Sequence, residues 1–175
     1  GAITLAIELP VVTVPLKEAV LPLMDRLDPA AEAMGAVNTV VIRNRRTVGY
    51  NTDGVGFRQA LEELCPSRDI PARLHGRPIS AVILGAGGAA RAVAWELARV
   101  PGARVTVANR HPARAERLAR WLRSRRPSAS VKAVPLRRVS LDEADLVVNA
   151  TSVGMRPRDG MLLDPEALRP PLLVY

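Results

Sequence analysis

This sequence of 175 residues has few of the side chains on which disulfides, metal sites and aromatic binding surfaces depend. Cys65 is its one cysteine, so no disulfide can form within the chain and a cysteine-rich metal site is excluded. The two histidines, His75 and His111, are far apart in sequence, and we expect no metal site. Aromatic residues make up 3% of the chain and hydrophobic residues 48%, so the core must consist of Leu, Val, Ile and Ala. Such a core favours a parallel sheet flanked by helices over an all-β sandwich.

Long apolar runs are also missing. No stretch approaches the roughly 20 apolar residues that a membrane-spanning helix needs. The apolar residues 1–16 include Glu8, Pro10 and Pro15 but no basic segment, which argues against a signal peptide. We therefore expect a cytoplasmic protein with no membrane partner. Because the first residue is Gly1 and not methionine, we also expect a fragment or a processed chain.

Acidic residues are scarce in one segment of this basic chain, whose net charge is +8. Between Arg104 and Arg138, Glu116 is the only acid. A basic run of this kind could bind nucleic acid. However, Trp121 is the one aromatic residue available for base stacking, and no nucleic-acid motif is present. We favour an arginine-rich solvated helix beside an anionic cofactor, and expect no nucleic-acid partner.

A glycine-rich turn follows the first apolar run of the second half of the chain. The run Ile79–Leu84 ends in Gly85-Ala86-Gly87-Gly88-Ala89-Ala90, a helix-forming segment follows, and the apolar run Val105–Ala108 comes next. The order strand, glycine turn, helix, strand is typical of a dinucleotide-binding unit. Gly85 allows a tight turn, Gly87 allows close approach of a pyrophosphate, and the helix presents free N–H groups to the anion. The alternative is a glycine-rich turn that binds nothing.

The residues after the second strand bear on the choice of cofactor. An NAD-binding unit places Asp or Glu there to hold the ribose hydroxyls, whereas this chain has Asn109 and Arg110, with Arg114 one turn further on. A guanidinium pairs with a 2′-phosphate through two N–H donors. The pattern therefore favours NADP. Alternatively, both arginines belong only to a solvated basic helix.

Apolar spacing and turn residues predict the remaining elements. In the first part they are a buried strand Leu9–Val14, a helix Glu18–Leu27, a short helix Ala30–Met34 that stops at Gly35, a hairpin of Val40–Arg43 and Thr47–Tyr50, and a helix Val55–Leu64 capped by Thr52 or Asp53. In the second part they are a helix Ala113–Arg125 and strands Ser130–Val134, Asp145–Asn149 and Leu172–Tyr175.

Three polar clusters sit at the ends of apolar strands of the first part: Thr13 with Lys17, Asn38 with Thr39, and Asn51–Asp53. Strand ends are where α/β folds build sites. Lys17 is one of two lysines in a chain that otherwise uses arginine, and lysine can give up a proton where arginine cannot. This indicates a proton-handling role, although a surface lysine at a helix start remains an alternative. Asp53 could likewise be only a helix cap.

Six blocks of the chain together resemble shikimate dehydrogenase, in the order and at the spacing of that family. They are Val12–Lys17, Gly35–Thr39, Gly49–Gly56, Gly85–Arg91, Asn109–Arg110 and Asn149–Met155. The resemblance implies NADPH-dependent reduction of 3-dehydroshikimate to shikimate, in the route to aromatic amino acids. It also implies an α/β fold with three parts: a partial substrate-binding (catalytic) domain at 1–65, a linker at 66–78, and a Rossmann-like NADP-binding domain with a parallel sheet at 79–175. Both chain ends of the family are expected to be missing, and the protein to be a monomer or a homodimer.

The resemblance implies a role for individual residues. Lys17 matches the family's catalytic lysine and Asp53 its partner; Asn38 matches a ligand of a substrate hydroxyl, and Thr13 borders the substrate. The cofactor-binding positions are Gly85, Ala86, Gly87, Gly88 and Ala89 in the phosphate turn, Asn109, Arg110 and Arg114 around the adenosine phosphate, and Thr151, Ser152 and Met155 beside the nicotinamide.

Two positions depart from the family pattern. Val11 stands where the family usually has Asn, and His111 where it often has Thr. Two alternatives stay open: an NAD-using quinate/shikimate dehydrogenase, and an inactive or regulatory NADP-binding remnant.

Overall fold

The structure, a computed structural model, describes residues 11–13, 16–64 and 78–175. The chain divides into two compact units, Gly1–Gly56 and Phe57–Tyr175. The predicted linker 66–78 lies outside the described residues except for Pro78, so the predicted domain limits remain a prediction. No helix in the described part of the chain is long and apolar enough to cross a membrane.

The first unit contains a small mixed sheet. Strand β1 (Arg26–Leu27) is followed by helix α1 (Pro29–Met34), and strands β2 (Thr39–Arg43) and β3 (Arg46–Tyr50) form a hairpin. The strand order is β1-β3-β2, with β1 parallel to β3. Asn44 and Arg45 both have positive φ, as a tight two-residue hairpin turn requires. Asp28 caps α1 and Gly35 ends it in a left-handed conformation, which confirms the predicted short helix.

Two predictions for the first unit are wrong. The predicted helix Glu18–Leu27 is a 3₁₀ turn at Leu21–Leu23 followed by strand β1. Pro22 has no N–H to continue an α-helix, and Arg26 and Leu27 pair with Val48 and Gly49 of β3. Of the predicted buried strand Leu9–Val14, residues 9, 10 and 14 lie outside the described residues. Val11, expected to be buried, is 80% exposed and forms an isolated antiparallel bridge with Thr39.

The second unit is built on a parallel sheet of five strands. Their bounds are β4 (Ser80–Leu84), β5 (Arg104–Asn109), β6 (Ser130–Pro135), β7 (Leu146–Asn149) and β8 (Leu173–Val174). All neighbouring pairs are parallel, in the order β6-β5-β4-β7-β8. The strand order reverses at β4, which is the topological switch point where α/β sheets bind ligands. The predicted α/β class with a parallel sheet is confirmed.

Helices α3 (Gly88–Leu97) and α4 (Pro112–Arg125) provide the buried apolar side chains that cover one face of this sheet. Alternate strand residues such as Ala81, Ile83 and Val107 join that core, while Val82, Leu84 and Ala108 form a second cluster on the opposite face. Helix α2 (Asp53–Leu64) begins in the first unit, and its residues Phe57 and Leu61 belong to the core of the second.

Candidate functional site

The first unit brings together three of the residues predicted from the sequence. Lys17 Nζ forms an ion pair with Asp53 Oδ2, 36 residues along the chain. Asn38 Nδ2 donates to the other carboxylate oxygen, Asp53 Oδ1, at 2.6 Å. The carboxylate of Asp53 thus joins a lysine and an amide, and the three side chains form one polar cluster.

Backbone pairing explains why these residues meet. The carbonyl of Lys17 accepts the N–H of Val37 at 2.8 Å, which ties the segment before the 3₁₀ turn to the segment that enters β2. Asn38 N donates to the carbonyl of Tyr50 at 2.9 Å, at the open end of the hairpin. Since α2 starts three residues after Tyr50, Asp53 is carried to the same place.

Asp53 is not used as a helix cap. In the described part of the chain, its carboxylate bonds to Lys17 and Asn38 and not to the backbone of α2. Asn51 Oδ1 instead accepts the N–H of Asp53 at 3.1 Å, while Asn51 Nδ2 donates to the carbonyl of Ala36 at 2.9 Å. Asn51 is 4% exposed, so it holds the loop before β2 and the start of α2 together from within.

The side chain of Asn38 has a complete set of hydrogen bonds, two donated and two accepted. Besides Asp53, its Nδ2 contacts Thr52 Oγ1 at 3.0 Å, and its Oδ1 accepts the N–H of Thr52 and the hydroxyl of Thr39, each at 3.0 Å. The predicted role of Asn38 as a ligand of a substrate hydroxyl would require one of these contacts to be exchanged. Asn51 and Thr52 were not among the predicted site residues, although they lie in the same Asn-Thr-Asp block as Asp53.

Thr13 follows a residue whose backbone is hydrogen-bonded to Asn38, but the side chain of Thr13 does not belong to the polar cluster. The preceding residue, Val12, donates its N–H to the carbonyl of Asn38 at 2.7 Å. Thr13 itself is exposed, and its side chain makes no hydrogen bond to the cluster among the described residues. Its predicted position at the border of a substrate remains a prediction.

Lys17 and Asp53 are partly open to water, with 16% and 26% of their side-chain surface exposed. The pair is therefore shielded enough to keep its geometry and open enough to exchange protons with solvent. Among the described residues, no group of three His, Cys, Asp or Glu side chains could hold a metal ion. The chemistry available here is proton transfer and hydrogen bonding to hydroxyl or carbonyl groups.

The glycine turn of the second unit begins where β4 ends. Gly85 has φ +116°, and a Cβ atom added there would lie 2.7 Å from the carbonyl oxygen of Ala150. Packing and backbone conformation both therefore require glycine. Gly87 differs, because its backbone is extended and an added Cβ would have no neighbour within 4 Å among the described residues beyond those adjacent in the chain. The space beside Gly87 is open, as the approach of a pyrophosphate would require.

Helix α3 presents its first turn to this space. Gly87 is its N-cap, no side chain caps the helix, and no acidic residue lies in its first turn. Ala90 occupies the last position of the G-x-G-x-x-G/A pattern that begins at Gly85. It is fully buried, so the helix packs close to the sheet. Free N–H groups at Gly88 and Ala89 and the positive end of the helix dipole suit a bound phosphate.

The end of β5 carries the residues predicted to recognise the adenosine end of a dinucleotide. Asn109 Oδ1 accepts the N–H of His111 at 2.8 Å, which fixes the turn into α4. Arg110 and Arg114 are exposed, and in the described part of the chain neither guanidinium has a carboxylate partner. Two unpaired guanidinium groups beside the start of a helix fit an anionic ligand such as a 2′-phosphate.

The third predicted segment follows β7, on the other side of β4 from β5. Asn149 organises it: its Oδ1 accepts the N–H and hydroxyl of Thr151 at 3.1 and 2.7 Å, and its Nδ2 donates to the carbonyl of Val153 at 3.0 Å. Ser152 is exposed, and Met155 is 80% exposed. All three segments predicted to bind the cofactor thus follow the carboxyl ends of adjacent strands of one sheet. Asn149 begins the block Asn149–Met155 that resembles the family, but its role in positioning the loop was not predicted.

Comparison with known proteins relates both units to one family. Residues 8–40 match the family model described as shikimate dehydrogenase substrate binding domain, and residues 72–156 match the model described as shikimate / quinate 5-dehydrogenase.

Individual relatives give the same result. The chain is 49% identical over 150 residues to a shikimate dehydrogenase (NADP(+)) of Symbiobacterium thermophilum, covering 83% of this chain and 48% of that protein. It is 45% identical over 172 residues to a shikimate dehydrogenase (NADP(+)) of Moorella thermoacetica, covering 94% of this chain and 54% of that protein. A crystal structure of shikimate dehydrogenase in complex with NADP+ matches with a TM-score of 0.80 and 36% identity, covering 94% of this chain and 55% of that one. The chain spans about half the length of the curated relatives it matches.

Proposed function

The chain belongs to the shikimate dehydrogenase family, and we propose that the protein carrying it reduces 3-dehydroshikimate to shikimate with NADPH. The observation that carries the proposal is the Lys17–Asp53 ion pair, with Asn38 on the second carboxylate oxygen. A reduction of this kind converts a carbonyl into a hydroxyl, so it needs a proton donor at the carbonyl oxygen. Lys17 is the group in the cluster that can donate one.

Lys17 and Asp53 of the first unit have different roles in the proton transfer. As negative charge builds on the carbonyl oxygen, the ammonium group of Lys17 stabilises it and gives up one proton from Nζ. Asp53 holds Lys17 in place and accepts a hydrogen bond from a neighbouring substrate hydroxyl. Because Lys17 keeps 16% of its side chain exposed, it recovers the proton from solvent. In the reverse direction, neutral Lys17 takes the hydroxyl proton.

NADP(H) is the cofactor proposed for the second unit, and when bound it would supply the hydride. The N–H groups at the start of α3 and the open space beside Gly87 would receive the pyrophosphate. Arg110 and Arg114 would pair with the 2′-phosphate, and the loop of Thr151, Ser152 and Met155 would border the nicotinamide. These two guanidinium groups, which have no carboxylate partner among the described residues, support NADP over NAD.

Steady-state kinetics with Lys17→Met test this proposal. We expect kcat for NADP-dependent shikimate oxidation to fall by about 10²–10⁴-fold, the usual contribution of a positioned proton-transfer group. Lys132→Met is the matched control, since Lys132 is the other lysine of the chain and lies exposed on β6. Its kcat should stay within about twofold of the unaltered protein.

Assays with the other substrate and cofactor decide between the alternatives. Quinate turnover with NAD, at a higher kcat/KM than shikimate with NADP, would contradict the substrate and cofactor proposed here. Tight NADPH binding with no turnover of either substrate would contradict the enzymatic proposal and leave an NADP-binding module. Full activity in Lys17→Met would refute the assigned proton donor.

A further inference from the structure

Asp159 holds the backbone of the loop that follows β7. Its Oδ2 accepts the N–H of Gly154 at 2.9 Å and the N–H of Arg156 at 3.0 Å, and its own N–H donates to the carbonyl of Arg156 at 3.0 Å. The two N–H groups that meet at this one oxygen belong to the residues on either side of Met155. A single carboxylate therefore fixes the backbone that carries Met155.

A second side chain holds the other end of the same loop. Asn149 Nδ2 donates to the carbonyl of Val153 at 3.0 Å, and the next residue, Gly154, has φ +97°, a conformation that favours glycine. All four backbone N–H groups from Val153 to Arg156 donate a hydrogen bond. The backbone around Met155 is thus set by the protein itself and not by water.

Met155 is the apolar side chain that this fixed backbone presents to solvent, and it is 80% exposed. It belongs to none of the apolar clusters that the described residues form. Ordering such a loop costs conformational entropy, and burial of Met155 in a core does not offset that cost. A polarizable thioether in this position suits contact with an aromatic ring of a ligand.

The carboxylate of Asp159 is engaged with the backbone and not with a cation. Asp159 is half-buried, whereas the residues from Gly154 to Arg158 are exposed. In the part of the chain that the structure describes, it forms no ion pair with its neighbours Arg156 and Arg158. Its contacts are those of a residue that shapes the loop.

We propose that Asp159 is a positioning residue for hydride transfer, which holds Met155 against the nicotinamide ring of bound NADP(H). This inference rests on the proposed function, in which the loop of Thr151, Ser152 and Met155 borders the nicotinamide. Hydride transfer depends on the distance and angle between the ring and the carbonyl carbon, and a displacement of about 1 Å can cost about 10²-fold in rate. Asp159 touches neither cofactor nor substrate and acts through Met155.

Three substitutions at this position separate the geometry of the carboxylate from its charge. Asp159→Asn keeps an oxygen that can accept both N–H groups but removes the charge, Asp159→Glu keeps the charge but moves the oxygens one methylene further out, and Asp159→Ala removes both. We expect the single-turnover rate of hydride transfer to stay within about twofold of the unaltered protein in Asp159→Asn, and to fall about tenfold to a hundredfold in the other two.

Asp164→Ala is the matched control. Asp164 also accepts a backbone N–H, that of Glu166 at 3.0 Å, in an exposed turn outside the three segments predicted to bind the cofactor. Its substitution should leave the rate of hydride transfer within about twofold of the unaltered protein.

Calorimetric titration gives a readout that does not depend on activity. NADP+ should bind at least about threefold more weakly to Asp159→Ala than to the unaltered protein. In contrast, 2′-phosphoadenosine diphosphoribose, which is NADP+ without the nicotinamide, should bind both proteins equally. Met155→Ala should weaken NADP+ binding by a similar factor, and adding Asp159→Ala to it should cause no further loss if Asp159 acts through Met155.

Several results would overturn the inference while leaving the proposed function intact. They are normal hydride transfer in Asp159→Glu, an equal loss of affinity for both ligands in Asp159→Ala, additive effects of Asp159→Ala and Met155→Ala, or a loss in Asp159→Asn as large as that in Asp159→Glu. If Asp159→Ala does not fold, the comparison of Asp159→Asn with Asp159→Glu decides. Failure of the unaltered protein to bind NADP+ would overturn the proposed function and the inference together.

Discussion

Gly85 and Gly87 stand two residues apart in the same turn, and alanine at each should have opposite consequences. At Gly85 the backbone has φ +116°, and the new Cβ would lie 2.7 Å from the carbonyl oxygen of Ala150. The conformation alone costs about 1–3 kcal/mol for a residue other than glycine. Moving the backbone after β7 away from the methyl group adds to this, so we expect Gly85→Ala to lower the free energy of unfolding by about 2–4 kcal/mol.

Gly87→Ala should leave folding unchanged and weaken cofactor binding. Its backbone is extended, with φ −94° and ψ −167°, and in the part of the chain that the structure describes nothing beyond its chain neighbours lies within 4 Å of an added Cβ. The free energy of unfolding should change by no more than about 0.5 kcal/mol. The methyl group would occupy the space proposed for the pyrophosphate, so NADP+ affinity should fall at least about tenfold, or ~1.4 kcal/mol.

Thermal unfolding and calorimetric titration of the two variants separate these effects. For a chain of this size the loss at Gly85 corresponds to a fall in Tm of roughly 4–16 °C. Gly56→Ala, within α2, serves as a control that should leave NADP+ affinity unchanged, since the added Cβ would also have no close neighbour among the described residues. The reasoning would be refuted by Gly87→Ala unfolding as readily as Gly85→Ala, or by Gly87→Ala binding NADP+ normally.

Two further predictions concern the first unit. Asn51→Ala removes the buried side chain that links the carbonyl of Ala36 to the N–H of Asp53. The free energy of unfolding, measured in urea, should therefore fall by about 1–3 kcal/mol, and kcat should also fall. An unaltered kcat in a destabilised variant would argue that Asn51 does not position Asp53. Hydrogen bonds from the backbone N–H and then the hydroxyl of Thr47 lower the pKa of Asp25, with a smaller effect from Arg46. The resulting stability is present above the unfolded-state pKa of about 3.8 and is lost as the pH falls through the lower folded-state pKa. The difference in urea midpoint between the protein and Asp25→Asn should therefore shrink in acid, and a difference independent of pH would contradict this.

The parallel sheet could be predicted because its signals are local. Each strand is a short β-branched run, and Gly85 lies where β4 must turn. The predicted helix Glu18–Leu27 failed for a non-local reason. Its apolar spacing suits a helix, but Arg26 and Leu27 find hydrogen-bond partners in β3, more than twenty residues later, and Pro22 weakens the helical alternative. Periodicity within one segment carries no information about such a partner strand.

The candidate site could be predicted in part for a similar reason. The rarity of lysine pointed to Lys17, and the ends of predicted strands pointed to Asn38 and Asp53. Asn51 and Thr52 were recognised as part of the polar cluster Asn51–Asp53, but their role in orienting Asp53 and Asn38 was not predicted. Asn51 and Thr52 act through hydrogen bonds of one particular geometry, and spacing in the sequence does not reveal which amide reaches which backbone group.

The arrangement of Asn51 and Asp53 explains how a carboxylate at the start of a helix can remain available for chemistry. The side-chain oxygens of an Asp at the beginning of a helix usually accept hydrogen bonds from the free backbone N–H groups of the first turn. Here Asn51 Oδ1 takes the N–H of Asp53 itself, and both carboxylate oxygens of Asp53 are directed to side chains, one to Lys17 and one to Asn38. Neutral Asn51 therefore accepts the N–H at the start of the helix, and the charged side chain of Asp53 remains free to bind Lys17.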